Sequence, residues 1–527
     1  MNTLTGTGVL AGSIIRRDRL RITLWIAGLV LIVWSGAAGI KGIYDTPQKL
    51  RSAADAVEGN AAAIAFNGPA QGLETLGGRI AFETGTAGLV VVALMSLFMV
   101  GRQTRAEEES GRLELIRAAV VGRHAPMAAA IVVVSGMNVA AGVMTALVVS
   151  AQGVPATGSL IFGAGFLAVG LAFAAVAAFT AQVSENTRVA HGLAGAVVGV
   201  AFALRAAGDI GDGTLSWLSP IGLAQKARPF AGDHWWPLAV PLLFAAGCLG
   251  AAVALASRRD LGGGLIASRP GLAEATARLR HPIGLALRLQ RASLAWWAVG
   301  VFTLGLVYGS VANDLEEFVA DNDALRDVLA RSGTNLIDSF FGTTLLILAI
   351  VGSGFAMQAT QRLRSEEAAL RLEPLLAAPV SRHRWMASHL GVAFAGGAAV
   401  LAAGGSGVGL AYALVTRDAA ELPRLAAEAL VYLPAIWVLI AVGAAFYGLV
   451  PRLAAAVWAL LAFSLVVGFF GEILNLPSWV AAISPFEHTP LVPTEALTAA
   501  PLLTLTATAA GLYAAGAYGF RRRDVMT

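Results

Sequence analysis

Apolar runs long enough to cross a bilayer recur along the whole chain, separated by short polar stretches. A helical span needs roughly 20 mainly apolar residues. Twelve segments qualify: 22–40, 84–101, 126–150, 157–182, 188–208, 238–257, 293–312, 339–358, 386–415, 426–449, 453–474 and 499–520. The third and ninth are long enough to tilt. The fourth and fifth meet at Ser184-Glu185-Asn186, and the tenth and eleventh at Pro451-Arg452, which are tight turns. Residues 313–331 carry Leu315, Phe318, Val319, Leu325, Val328 and Leu329 at helical spacing and predict an amphipathic helix, with the loop 45–80 as its counterpart. Residues 210–236 and 475–498 are rich in Trp and Pro and read as interfacial. The expected fold is an all-α polytopic membrane protein of about twelve transmembrane helices.

The pattern repeats. Arg105 to Ala128 aligns without a gap to Arg364 to Ala387, at an offset of 259, with 13 of 24 pairs identical. Arg258-Arg259-Asp260 after the sixth span answers Arg522-Arg523-Asp524 after the twelfth, and Ser219-Pro220 answers Ser484-Pro485. Trp25 before Gly28 answers Trp297 before Gly300. Six spans per half is an even number, so the halves enter the membrane in the same sense, as parallel repeats about an axis along its normal. That arrangement suits a central path between halves. The expected organisation is a first half over 1–265, a linker with an amphipathic helix over 266–292, and a second half over 293–527.

Composition sharpens this reading. Of the 527 residues, 57% are hydrophobic and 13% charged, against about 45–50% and about 25% in soluble domains. Net charge is +4, too mild and too dispersed for nucleic-acid binding. The single cysteine, Cys248, excludes an internal disulfide and a cysteine metal site. With the N-terminus inside, 26 of the 37 basic residues fall in inner segments. The positive-inside rule then expects both termini in the cytoplasm.

The best-matched repeat lies between spans two and three and again between spans eight and nine, over 105–124 and 364–383. Its charged pairs are Arg105/Arg364, Glu107/Glu366, Glu108/Glu367, Arg112/Arg371, Glu114/Glu373 and Arg123/Arg382. Glu108–Arg112 and Glu367–Arg371 have the favourable acid-first i,i+4 order on a helix. Leu113 and Ile116, or Leu372, Leu375 and Leu376, would form its apolar stripe. A short helix docked on a cytoplasmic partner fits this pattern. A homodimeric partner would hold both copies alike while other segments drift.

These residues carry a resemblance. Arg364-Ser-Glu-Glu, Arg371-Leu372-Glu373, Leu375-Leu376 and Pro379-Val380-Ser381-Arg382 resemble the coupling-helix segment of ABC-2 type exporter permeases. The first copy has the same pattern with Val120 in place of the proline. The Arg-Arg-Asp after the last span and the basic amphipathic stretch from Val9 to Arg21, again at about 283–292, are similar to that family. Two fused halves with Phe66-Asn67-Gly68-Pro69 in the first outer loop resemble the actinomycete permeases that export polyketide antibiotics of the tetronasin type or multiple drugs. The resemblance implies a permease, not itself an enzyme, in a bacterial cytoplasmic membrane. It implies two copies of a separate ATP-binding subunit, as a homodimer, that bind ATP and Mg and drive export of hydrophobic small molecules. This chain has no Gly-x-x-x-x-Gly-Lys-Ser/Thr pattern, so the ATPase must be another protein.

In that family the second and fifth spans of each half line the path. Leu94, Met95, Phe98, Phe202, Phe340, Phe341, Phe463, Phe469 and Phe470 are then the expected walls, apt for greasy and variable substrates. Arg205, Glu472 and Glu83 are ionisable residues in or at spans. The Ser-Pro register sets Arg205 close to Glu472, an expected outer gate. Gly195 and Gly199, and the cluster Gly404, Gly405, Gly407 and Gly409, are expected at close helix contacts. Two alternatives stand beside this reading. One is a proton-coupled secondary multidrug transporter of the major facilitator type, whose usual Gly-x-x-x-Asp-Arg-x-Gly-Arg-Arg loop is missing here. The other is an exporter of lipid or cell-envelope components.

Overall fold

The structure, a computed structural model, describes residues 3–57, 61–259, 263–265, 274–320, 336–470 and 477–525. Among these residues the chain is helical, with no β-strand. Twelve helices are long and apolar enough to cross a membrane. We number their main segments α1 (Thr7–Ile43), α2 (Leu76–Gln103), α3 (Ala125–Ser150), α4 (Ala156–Val183), α5 (Thr187–Ile210), α6 (Ala239–Arg258), α7 (Pro282–Ala320), α8 (Leu336–Ala368), α9 (Arg382–Thr416), α10 (Leu433–Leu449), α11 (Val457–Phe470) and α12 (Ala499–Arg522). The fold is an all-α polytopic membrane protein.

The chain divides into two compact units, Met1–Gly271 and Leu272–Thr527. In the first, α2 and α4 are the most enclosed helices and α1, α5 and α6 the most exposed. In the second, α8 and α10 are enclosed, while α7, α11 and α12 are exposed. A helix apolar on all sides must be buried in protein or face lipid. Here α4 takes the first course, with Phe166 and Phe173 fully buried. The outer helices take the second: Leu24, Leu31, Leu243, Trp296 and Leu503 are all exposed. An apolar surface of this extent fits hydrocarbon and not water.

Local signals set the helix ends. Asn186 in the tight turn after α4 caps α5, its Oδ1 accepting from the Arg188 N–H at 2.8 Å. Thr75 caps α2 through the Gly78 N–H, and Ser381 caps α9 through that of Arg384. Ser219 caps the short helix Pro220–Lys226, with proline in the first turn, where its missing N–H costs nothing. Its counterpart Ser484-Pro485 opens a 3₁₀ turn over Pro485–His488.

Some expected elements merge. The stretch from Val9 to Arg21 is not a separate helix; it opens α1, which is interrupted only at Asp18 (φ −105°, ψ 16°). The stretch at 283–292 likewise opens α7. Of the helix expected over 313–331, the residues to Ala320 continue α7, and 321–335 lie outside the described residues. The outer loop at 45–80 holds two short helices, Pro47–Val57 and Ala61–Asn67.

The glycine expectations divide. Added Cβ atoms at Gly404, Gly405, Gly407 and Gly409 would lie 2.2–2.8 Å from neighbouring atoms, including the Phe302 carbonyl oxygen of α7. Gly305 of α7 meets the Gly404 carbonyl oxygen in the same way, so α7 and α9 touch backbone to backbone. Gly195 and Gly199 have nothing within 4 Å and make no such contact inside their unit. Their stretch of α5 lies on an exposed face.

Candidate functional site

Neither repeated loop is one continuous helix. The first forms Arg105–Glu109 and Arg112–Arg117. The second carries α8 on to Ala368 and then forms Leu372–Ala377. The break falls at the same place in both. Gly111 has φ 73° and Leu370 has φ 55°, and the two positions are 259 residues apart. In the second copy the Arg371 N–H donates to the Glu366 carbonyl and the Leu370 N–H to that of Glu367. This is a Schellman termination, which requires a left-handed residue after the helix.

The break redirects the acids. The expected pairs Glu108–Arg112 and Glu367–Arg371 do not form. Arg112 lies 3.6 Å from Glu107, and Arg371 lies 3.3 Å from Glu366. Glu108 and Glu367 turn inward instead, to the second arginine of the Arg-Arg-Asp sequence that ends their own half's last span. Arg259 Nη2 donates to both oxygens of Glu108, at 2.7 and 3.0 Å. Arg523 forks onto Glu367, Nη1 to Oε1 at 2.7 Å and Nη2 to Oε2 at 2.6 Å. All four side chains are largely buried. Charge-assisted pairs of this geometry fix orientation as well as holding charge.

The last arginine of each loop closes the same contact. Arg123 Nη2 donates to the carbonyls of Ala256 and Arg259 at 3.1 and 3.3 Å. Arg382 Nη1 donates to those of Phe520, Arg521 and Arg523 at 3.2, 3.3 and 2.6 Å. A helix end leaves carbonyls without intrahelical partners, and these side chains take them up. In the first half Arg105 is almost fully buried, bound to Glu108 and to the Glu185 and Gly263 carbonyls. Its counterpart Arg364 is half-buried and only 4.0 Å from Glu367.

The chain's beginning also docks here. Arg17 reaches Glu107 at 3.1 Å and Gln103 at 2.5 Å. Buried Asp18 accepts from Gln103 Nε2 at 2.5 Å and from Arg102 Nε at 3.2 Å. The carbonyls of Thr3 and Thr5 accept from the N–H groups of His124 and Gly122. Leu113 and Leu372 are buried, so the loops' apolar stripe packs into its own unit. What remains outside is a mixed surface: Arg112, Glu114, Leu115 and Val120 in one copy, and Leu370, Arg371, Glu373 and Pro374 in the other.

The residues expected along a path are scattered by environment. Met95 and Phe341 are fully buried in the cores of their own units, and Leu94, Phe202, Phe340 and Phe463 are half-buried. Phe98 is exposed and stacks on Trp25 at 6.4 Å, with His191 edge-on. The side chains of Phe469 and Phe470 lie outside the described residues. Arg205 is completely buried. It lies 3.6 Å from Asp209, caps the Ile64 and Phe66 carbonyls at 3.4 and 3.2 Å, and covers the Phe202 ring at 4.6 Å. Asp209, four residues on, is the partner that the charge pattern around Arg205 offered and sequence reasoning passed over. Glu472 lies outside the described residues. Glu83 pairs with Arg79 at 2.5 Å, and Arg79 also binds the Tyr44 hydroxyl and the Ala53 carbonyl.

Two six-span units, each with its loop fastened to its own last span, define a polytopic membrane protein. Residues 279–521 match the family described as "Multidrug efflux system permease Rv1217c, C-terminal domain". The chain is also 40% identical over 525 residues to the multidrug efflux system permease protein Rv1217c of Mycobacterium tuberculosis, covering 99% of this chain and 95% of that one. The chain belongs to this family of multidrug efflux system permeases.

Proposed function

We propose that the chain is the permease of an ATP-driven exporter of the ABC-2 type, in which two copies of a separate ATP-binding subunit drive hydrophobic compounds out of the cell. The observation that carries this reading is the repeated loop. It is the best-kept part of an otherwise diverged duplication, and each copy presents an exposed patch of one arginine, one glutamate and apolar side chains. A homodimeric partner needs two such surfaces. The relative's name, multidrug efflux system permease protein, supports a multicomponent system and drug substrates. The bias of basic residues supports loops and termini on the cytoplasmic side, where ATP is. The apolar character of the spans suits greasy cargo.

The test is co-purification from native membranes. The tagged wild-type chain is expected to bring down a Walker-motif ATPase at about two copies per permease, read by mass spectrometry. The variant E114R/E373R, which alters one exposed glutamate in each loop, is expected to remain folded and lose that ATPase. Full retention of the ATPase by this variant, or a wild-type chain that purifies alone, contradicts the reading.

A further inference from the structure

We infer that Arg259 and Arg523 are positioning residues for transport: each latches the repeated loop of its half to the end of that half's last span, so that loop and span move as one body. The inference deepens the reading above and rests on it for the source of the movement. It also identifies α6 and α12 as the helices that receive that movement directly.

The structure contains the device twice, in halves whose surroundings differ. Glu108 meets Arg259 in one and Glu367 meets Arg523 in the other, with both oxygens of each carboxylate engaged. The arginine at the end of each loop then caps the carbonyls of that same helix end, Arg123 on α6 and Arg382 on α12. Each loop is therefore tied to its last span by two arginines running in opposite directions, one from the span to the loop and one from the loop to the span. A third element joins at the corresponding place. Arg259 Nε donates to Gln182 Oε1 at 2.7 Å at the end of α4, and Arg523 lies over the Tyr447 ring at 4.8 Å near the end of α10. Gln182 and Tyr447 are different side chains at the fourth spans of their halves. The partner changed and the arginine's place did not.

Exposed ion pairs hold little, because water and salt screen them and their side chains are free. These differ on both counts. Glu367 is 1% exposed and Arg523 15%; Glu108 is 9% and Arg259 12%. A planar guanidinium matched to a carboxylate in a dry place sets both distance and angle, which a lysine's point charge does not. Displacement at the exposed patch on Arg112–Arg117 or Leu372–Ala377 is thus passed to α6 or α12 without slack.

Two measurements on the full chain in nanodiscs test this. The first is hydrogen exchange of the loop amides and needs no ATPase. R259Q is expected to raise exchange over 105–117, and R523Q over 366–377, by about tenfold or more, as expected for loss of a local anchor. R523K is expected to recover only part of the protection, and the exchanged pair E367R/R523E most of it. The second is efflux normalised to bound ATPase. R523Q is expected to keep the ATPase bound and hydrolysing while efflux falls at least fivefold, with recovery in the exchanged pair, which controls for misfolding. Unchanged exchange in both single variants overturns the latch. Raised exchange with wild-type efflux per complex overturns its part in transport. If wild type brings down no ATPase, the proposed function falls, and the exchange result alone decides whether the latch exists.

Discussion

Leu370 and Gly111 hold corresponding places and share a left-handed backbone, yet only one of them is glycine. An L-residue in that region carries a cost of about 1–2 kcal/mol. Leu370→Gly is therefore expected to be neutral or to raise thermal stability. Gly111→Ala is expected to cost about 1 kcal/mol; melting of the purified protein in detergent reads both. The repeat sets these loops apart in sequence, but not which way their charges point. A continuous helix would place Glu108 beside Arg112, and the break at position 111 turns it to Arg259 instead. A leucine in the second copy gives no sign of such a break. Likewise Arg205 was legible as costly, while its enclosure by Asp209 and the carbonyls of Ile64 and Phe66 depends on a fold that brings the outer loop to α5. Arg205→Ala would leave Asp209 buried without its charge partner, at a cost of about 3–5 kcal/mol. The double variant R205L/D209L is expected to recover much of that loss, with folded yield and melting temperature as readouts.

Among the elements, α7 and α9 are held by contact between backbones. Gly407→Ala would set a methyl 2.2 Å from the Phe302 carbonyl oxygen. Overpacking of this kind costs about 1–3 kcal/mol. Gly195→Ala meets open space and is expected to be neutral or stabilising by up to about 1 kcal/mol, the helix preference for alanine. If both behave alike in a melting assay, the close packing of α7 on α9 is wrong. The spans themselves were legible throughout, because only apolar helices satisfy both backbone and side chains in lipid. Which glycines touch a neighbour was not. Gly-x-x-x-Gly describes one helix, and a contact needs two. The turn at Ser184-Glu185-Asn186 was legible in sequence, whereas the cap at Ser219 was not, nor was the start of α7, where an amphipathic stretch runs unbroken into a span.

At the scale of the whole molecule, the duplication gives two units that share an internal order, an enclosed second and fourth helix, and one latch each. A permease of this family that exports drugs needs an energy source, and no segment of the chain has the pattern of an ATP site. On the proposed reading, the energy enters through surfaces that dock a separate ATPase. The loops, with 13 of 24 aligned positions identical, offer a pair alike enough to serve one repeated partner. The most direct measurement is substrate movement in inside-out vesicles containing the permease with its co-purified ATPase, with ATP and a proton gradient supplied separately. The account predicts uptake of a hydrophobic drug that requires ATP, is abolished by a Walker-lysine substitution in the ATPase, and persists when the proton gradient is collapsed. Uptake by the permease alone, without ATP and driven by the gradient, would contradict it and make the chain a secondary transporter.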